Sequence, residues 1–284
     1  MAETAMNDNT PPAISKEALE DLYVTYNRRE LVHPDPLEFL YAYDDVSDRE
    51  IVALVASYLA YGRVAQILKS VRRVLERMPA PAEFVRGASP ETLRSTLAGF
   101  KHRFTTGETL AALLSGARCA IERHGSLGAC FGAGLSGRDE TVLPALTAFV
   151  GQLNSGAPCH SAKHEAGHKP PLPSPAEGSA CKRLNLFLRW MVRRDAVDPG
   201  GWDHVPPSKL IVPLDTHMLR IGRALNLTQR NQANIRTAQE VTAAFRAFAP
   251  DDPVRYDFAL TRLGIRHDAD LDGFLRRCGS APAS

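Results

Sequence analysis

Lys182 and Asp215 are the residues whose types and settings point most directly to a reaction. Lys182 opens the amphipathic stretch Cys181-Lys182-Arg183-Leu184-Asn185-Leu186-Phe187-Leu188-Arg189-Trp190. Asp215 lies in Ile211-Val212-Pro213-Leu214-Asp215-Thr216-His217-Met218-Leu219-Arg220, at the start of a second such stretch. A neutral lysine amine is a nucleophile that forms Schiff bases. A carboxylate beside it can accept a proton and stabilise positive charge developing on a sugar ring. The positive end of a helix, with Arg183 adjacent, disfavours a further cation at Lys182 and so favours the neutral amine. The Gly178-Ser179-Ala180 approach brings backbone N–H groups that suit a phosphate. Each residue alone has a plainer explanation, an exposed first-turn lysine and a helix N-cap aspartate. The pairing carries the chemical reading.

The elements that must position the pair read almost entirely as helices joined by Gly/Pro loops. Ile51, Leu54, Val55, Tyr58 and Leu59 recur at helical spacing, with Ser47 as the expected cap and Glu50 completing a capping box. Gly62 interrupts the run, and a second stripe extends through Met78 to a stop at Pro79. Further helices are expected over Ile14–Tyr26, Pro90–Ala98, Glu108–His124, Asp139–Asn154, 238–248 and 253–262. Strand alternation is nowhere sustained, so the expected class is all-α. Residues 1–13 read as a disordered tail, 14–154 as an N-terminal helical lobe, and 178–279 as the part bearing the Lys/Asp pair. Between them, 155–177 is rich in Ser, Pro, Gly, Ala and His and reads as a loop or linker.

Composition narrows the classes. Five cysteines, at 119, 130, 159, 181 and 278, are odd in number and widely spread, which suits free thiols and offers no iron–sulfur spacing. No apolar run is long enough to span a bilayer, so no membrane partner is expected. Met1–Thr10 is polar and acidic, unlike a signal peptide, and a cytoplasmic location is the expectation. The overall charge of +2 says little. Between Cys181 and Arg236, however, ten Lys/Arg stand against four Asp, a local +6 that suits a polyanion.

The segment Leu214-Asp215-Thr216-His217 with Arg220 resembles the helix-hairpin-helix (HhH-GPD) DNA glycosylase superfamily. There a similar segment opens the helix carrying the catalytic aspartate, and a basic residue follows about five positions on. Lys182 matches the place of the catalytic lysine of the bifunctional members. Asp215 lies 33 positions after Lys182, the stretch between them holds a Pro/Gly-rich insert from Asp198 to Pro213, and this long spacing resembles the archaeal 8-oxoguanine glycosylase branch. The usual Leu-Pro-Gly-Val-Gly hairpin is absent. The Gly-Ser-Ala-Cys-Lys-Arg and Pro-Leu-Asp-Thr-His segments also resemble an uncharacterised bacterial family of this length. The resemblance implies a two-lobed helical fold with the pair facing a cleft between the lobes. It also implies a monomeric glycosylase/AP lyase that removes an oxidised purine from double-stranded DNA without a cofactor.

On that reading Gly178, Ser179, Arg183, His217 and Arg220 would hold DNA. Trp202, in the insert, would stack on an extruded base or pin the insert to the core. Tyr61, Arg63 and Gln66, around Gly62, would line the base pocket, and Arg103, in Phe100-Lys101-His102-Arg103-Phe104, would meet phosphate. Cys159, His160, His164 and His168 form a dense array of zinc-ligand types. Pro158, Gly167 and Pro170 break any regular helix there, and the expectation is a solvated loop without metal. Two other classes remain open, a non-catalytic DNA-binding helical protein and a zinc-dependent interaction protein.

Overall fold

The computed structural model describes residues 14–155 and 171–265, together with Phe274. Among them are twelve α-helices and a single two-stranded sheet. The helices of the first block are α1 (Lys16–Tyr26), α2 (Val46–Tyr58), α3 (Val64–Leu75), α4 (Pro81–Gly87) and α5 (Pro90–Thr96). A short hairpin follows, β1 (Lys101–His102) and β2 (Thr105–Thr106), antiparallel with Lys101 opposite Thr106. Then come α6 (Gly107–His124), α7 (Leu127–Gly132), α8 (Leu143–Ser155), α9 (Lys182–Val192), α10 (Thr216–Ala224), α11 (Ile235–Phe248) and α12 (Asp257–Ile265). The all-α expectation holds at this level. No helix among the described residues is long and apolar enough to cross a membrane. The tail 1–13, most of the 155–177 linker and the Cys159–His168 array lie outside the described residues.

Several boundaries differ from the sequence reading for local reasons. Asp45, not Ser47, caps α2, its Oδ1 accepting from Ser47 N and Asp48 N. Glu50 therefore completes no capping box. It is 2% exposed and accepts from Leu127 N, Gly128 N and Trp202 Nε1, tying α2 to the start of α7 and to the insert. The helix expected from Asp139 begins at Leu143, because Asp139 Oδ2 accepts from Ser136 N in a turn and Val142 N donates to Lys209 O. The second stripe ends at Leu75, and Met78 closes a turn onto the Leu75 carbonyl. Helices α4 and α7 were not expected. They are short, started by Pro81 and capped by Ser126.

One contiguous core runs from Ile14 to Leu263. The lysine-bearing helix α9 packs on α2, and α12 packs on both α1 and α10. Helices α6 and α8 cross closely. A Cβ at Gly116 would stand 1.9 Å from Leu153 O, so only glycine lets the backbones meet there.

The insert between Lys182 and Asp215 folds back along α9. Gly200 N donates to Trp190 O and Trp202 N to Met191 O, which fixes the insert at the C-terminal end of α9. Trp202 is 1% exposed and packs its ring against Phe131, Phe149 and Phe187. Leu210 to Leu214 are all buried, and Val212 N donates to Thr242 Oγ1. The eleven residues of α9 advance about 16 Å at ~1.5 Å per residue. Roughly five extended residues recover the same distance. The return therefore delivers Asp215 to the start of α9.

Candidate functional site

Lys182 Nζ lies 2.9 Å from Asp215 Oδ2. The two oxygens of Asp215 divide their work. Oδ1 accepts from His217 N and Met218 N, both at 2.9 Å, and caps α10, while Oδ2 faces the amine. The plain N-cap reading and the functional reading thus apply to one side chain. The side chains are 35% and 28% exposed, so the pair is reachable yet shielded. Burial pushes the Asp215 carboxyl up, but the Lys182 charge, the Met218 N–H and His217 outweigh it, and the net shift is below the ordinary carboxylate value. Asp215 is held as an anion at neutral pH.

The pair sits in a cleft of about 550 Å³. Helix α9 lines it with Lys182, Arg183, Leu186, Arg189 and Trp190, which share one face at helical spacing. Tyr61, Gly62, Val64 and Ile67 face them from the α2–α3 junction, and Pro213, Asp215 and His217 from the start of α10. Asp257, Phe258, Thr261 and Arg262 of α12, with Pro34, Asp35 and Pro36, complete the lining.

Charges within the cleft are largely matched in pairs. Arg189 Nη1 meets Asp257 Oδ2 at 2.5 Å, and Arg262 meets Asp35. Arg183 meets no carboxylate within ion-pair distance among the described residues. Its Nη1 donates to Tyr58 O at 2.6 Å and its guanidinium lies over the rings of Tyr58 and Tyr61. A cation fixed in this way, next to the amine, can hold an anionic group without first being ordered.

The structure sorts the other expected site residues. Tyr61 and His217 join Lys182, Asp215 and Arg183 in the cleft. The Tyr61 hydroxyl is already committed, donating to His102 O and accepting from Thr105 N. Gly178, at φ +82, and Ser179 stand just before α9, where Gly178 O accepts from Ile235 N. Ser179 Oγ accepts from Cys181 N, the N–H that follows the Gly178-Ser179-Ala180 approach. Trp202 cannot stack on a base, because its indole is sealed in the core and its N–H is held by Glu50. Arg63, just before α3, and Gln66, on its first turn, are exposed outside the cleft lining, as is Arg220 on α10. Arg103 also stands outside the lining, folded against Gly62.

Asp35, Arg189, Asp257 and Arg262 are cleft residues that the sequence reading missed. They form ion pairs between segments far apart in sequence, which no local spacing reveals. A buried network continues behind them. Asp198 accepts from Arg189 Nε and Arg193 Nη1, and Arg193 also pairs with Asp195 and Asp252. Setting aside buried Arg189 and Arg193 together with Asp195 and Asp198 leaves eight cations and two aspartates in the 181–236 region, still +6. Arg220, Arg223, Arg230 and Arg236 are exposed members of that set.

No curated protein and no solved structure matches the chain. A family model described as a protein of unknown function, DUF2400, matches residues 35–266, a span that holds both Lys182 and Asp215. The chain belongs to the DUF2400 family.

Proposed function

We propose that the protein is a DNA glycosylase with AP lyase activity that removes an oxidised purine, 8-oxoguanine foremost, from duplex DNA. The observation that carries this reading is the 2.9 Å contact between the Lys182 amine and the Asp215 carboxylate in a cleft sized for a small molecule. The choice of lesion rests on the likeness of the Lys–Asp spacing and the Asp-Thr-His segment to the 8-oxoguanine branch. The fold would be two-lobed in the manner of that superfamily, and the protein would act as a monomer without a cofactor.

The target nucleotide would be extruded from the duplex so that its sugar reaches the pair. Lys182 first passes its ammonium proton to water, and the free amine then attacks C1′ as the bond from C1′ to the base breaks. The bonding electrons leave with the base, which takes up the proton released by the nitrogen. Opening of the C1′–O4′ bond, with O4′ taking a proton from water, then gives the iminium, and loss of a C2′ proton expels the 3′ phosphate and nicks the strand. Asp215, held as an anion, serves chiefly to orient the amine and stabilise positive charge on the sugar; a carboxylate with a lowered pKa keeps a proton poorly. Arg183, fixed beside the amine, would meet a phosphate of the extruded nucleotide.

The test is single-turnover cleavage of duplexes that each carry one oxidised purine or an abasic site, with wild-type protein and Asp215→Asn. The asparagine keeps the N-cap acceptor and removes the charge. It is expected to slow scission by on the order of 10²–10³. No product from wild-type protein on any of these duplexes would overturn the proposal.

A further inference from the structure

The β1–β2 hairpin turns through two residues, Arg103 and Phe104. Phe104 is 84% exposed, the most exposed large apolar side chain among the described residues. A single exposed phenylalanine needs no explanation by itself. This one is held outward on a rigid base. The Tyr61 hydroxyl donates to His102 O, accepts from Thr105 N and pairs with Thr105 Oγ1 at 2.7 Å, so it spans the turn from both sides. His102 is buried between Ser70 Oγ at 2.9 Å and Tyr61 O at 3.0 Å. Since the carbonyl can only accept, His102 Nε2 donates to Tyr61 O.

The turn itself is made at a local cost. Arg103 has φ +51, the left-handed region where glycine is at home. Its side chain folds back against Gly62, and its guanidinium carbon lies 5.5 Å from the centre of the Phe104 ring. Tyr61 and Gly62 both line the cleft that holds Lys182. An unsupported aromatic edge with a cation beside it is thus anchored directly onto the cleft wall.

We propose that Phe104 enters the base stack of duplex DNA beside the nucleotide whose sugar reaches Lys182, while Arg103 meets the neighbouring phosphate. This rests on the glycosylase reading above. Extruding a nucleotide costs stacking and leaves a gap in the duplex. An apolar side chain inserted at that step fills the gap and favours the opened state. Single-stranded DNA has no such gap, so the contribution of Phe104 belongs to the duplex.

The experiment uses the full chain as wild type, Phe104→Ala and Phe104→Trp. The probes are a duplex with one tetrahydrofuran abasic-site analogue, the intact duplex, and the single strand carrying the analogue. Phe104→Ala is expected to weaken binding to the abasic duplex by about tenfold to a hundredfold, the scale of one aromatic–base stack. Phe104→Trp should restore it, and single-strand affinity should be unchanged by either substitution. Because the side chain is exposed, both variants should melt with the wild type. Equal affinity of Phe104→Ala and wild type for the abasic duplex would overturn the inference, and so would an equal loss on the single strand. If wild type prefers the analogue duplex and cleaves a natural abasic duplex while Phe104→Ala binds the analogue identically, only this inference fails. If wild type neither prefers the analogue duplex nor cleaves the natural abasic duplex, the glycosylase reading fails and this inference falls with it.

Discussion

Lys182→Gln is expected to abolish strand scission on lesion-bearing duplex, with a fall in rate of about 10³ or more, the scale seen when a covalent nucleophile is removed. Glutamine keeps a side chain of similar shape at the first turn of α9 and can still donate a hydrogen bond to Asp215 Oδ2. It cannot form an imine. Lys182 is partly exposed, so the substitution leaves the buried contacts of α9, from Leu184 to Val192, intact. Loss of activity without loss of stability is therefore the expected pattern. Single-turnover assays with saturating protein, alongside a thermal melt, check both halves. Base release within tenfold of wild type, with only scission lost, would move the attack on C1′ from the lysine to water.

Asp198→Ala is expected to have the largest effect on stability, about 3–5 kcal/mol. Asp198 is fully buried and accepts from two guanidinium groups, those of Arg189 and Arg193. Removing it leaves Arg189 with Asp257 alone and Arg193 with Asp195 and Asp252, both arginines still out of contact with water. Each arginine keeps a carboxylate, but Arg189 Nε and Arg193 Nη1 lose their buried acceptor, which costs far more than the loss of an exposed ion pair. Arg189 also lines the cleft, so the variant should lose activity together with stability. Denaturant titration measures the change. A loss below about 1 kcal/mol would mean that the remaining carboxylates suffice to neutralise both arginines.

How much of this was legible in the sequence depended on distance along the chain. Periodic apolar residues placed α2, α3, α6 and α9, because an amphipathic stripe is a local signal. The Pro213-Leu214-Asp215 approach marked Asp215 as a cap, and α10 starts at the next residue. The β1–β2 hairpin was invisible because two residues per strand give no alternation. Ser47 lost the cap of α2 to Asp45, which stands one residue before the helix and reaches both first-turn N–H groups.

The site divides in the same way. Lys182 and Asp215 each announced themselves at a helix start, but their meeting depended on an insert that returns along α9, a long-range event. The sequence left Trp202 open between stacking on a base and pinning the insert, because Glu50, which holds its N–H, is 152 positions away. Asp35 and Asp257 carry no motif. Their place in the cleft follows from pairing with Arg262 and Arg189 across the fold.

The central claim is that the Lys182 amine becomes covalently joined to C1′ of a deoxyribose. Wild-type protein incubated with 8-oxoguanine duplex and with abasic duplex in the presence of borohydride should give a stable protein–DNA adduct, because reduction turns the iminium into a secondary amine. Peptide mapping by mass spectrometry should place that adduct on Lys182. Absence of an adduct on both duplexes, or an adduct on another lysine that persists in Lys182→Gln, would contradict it.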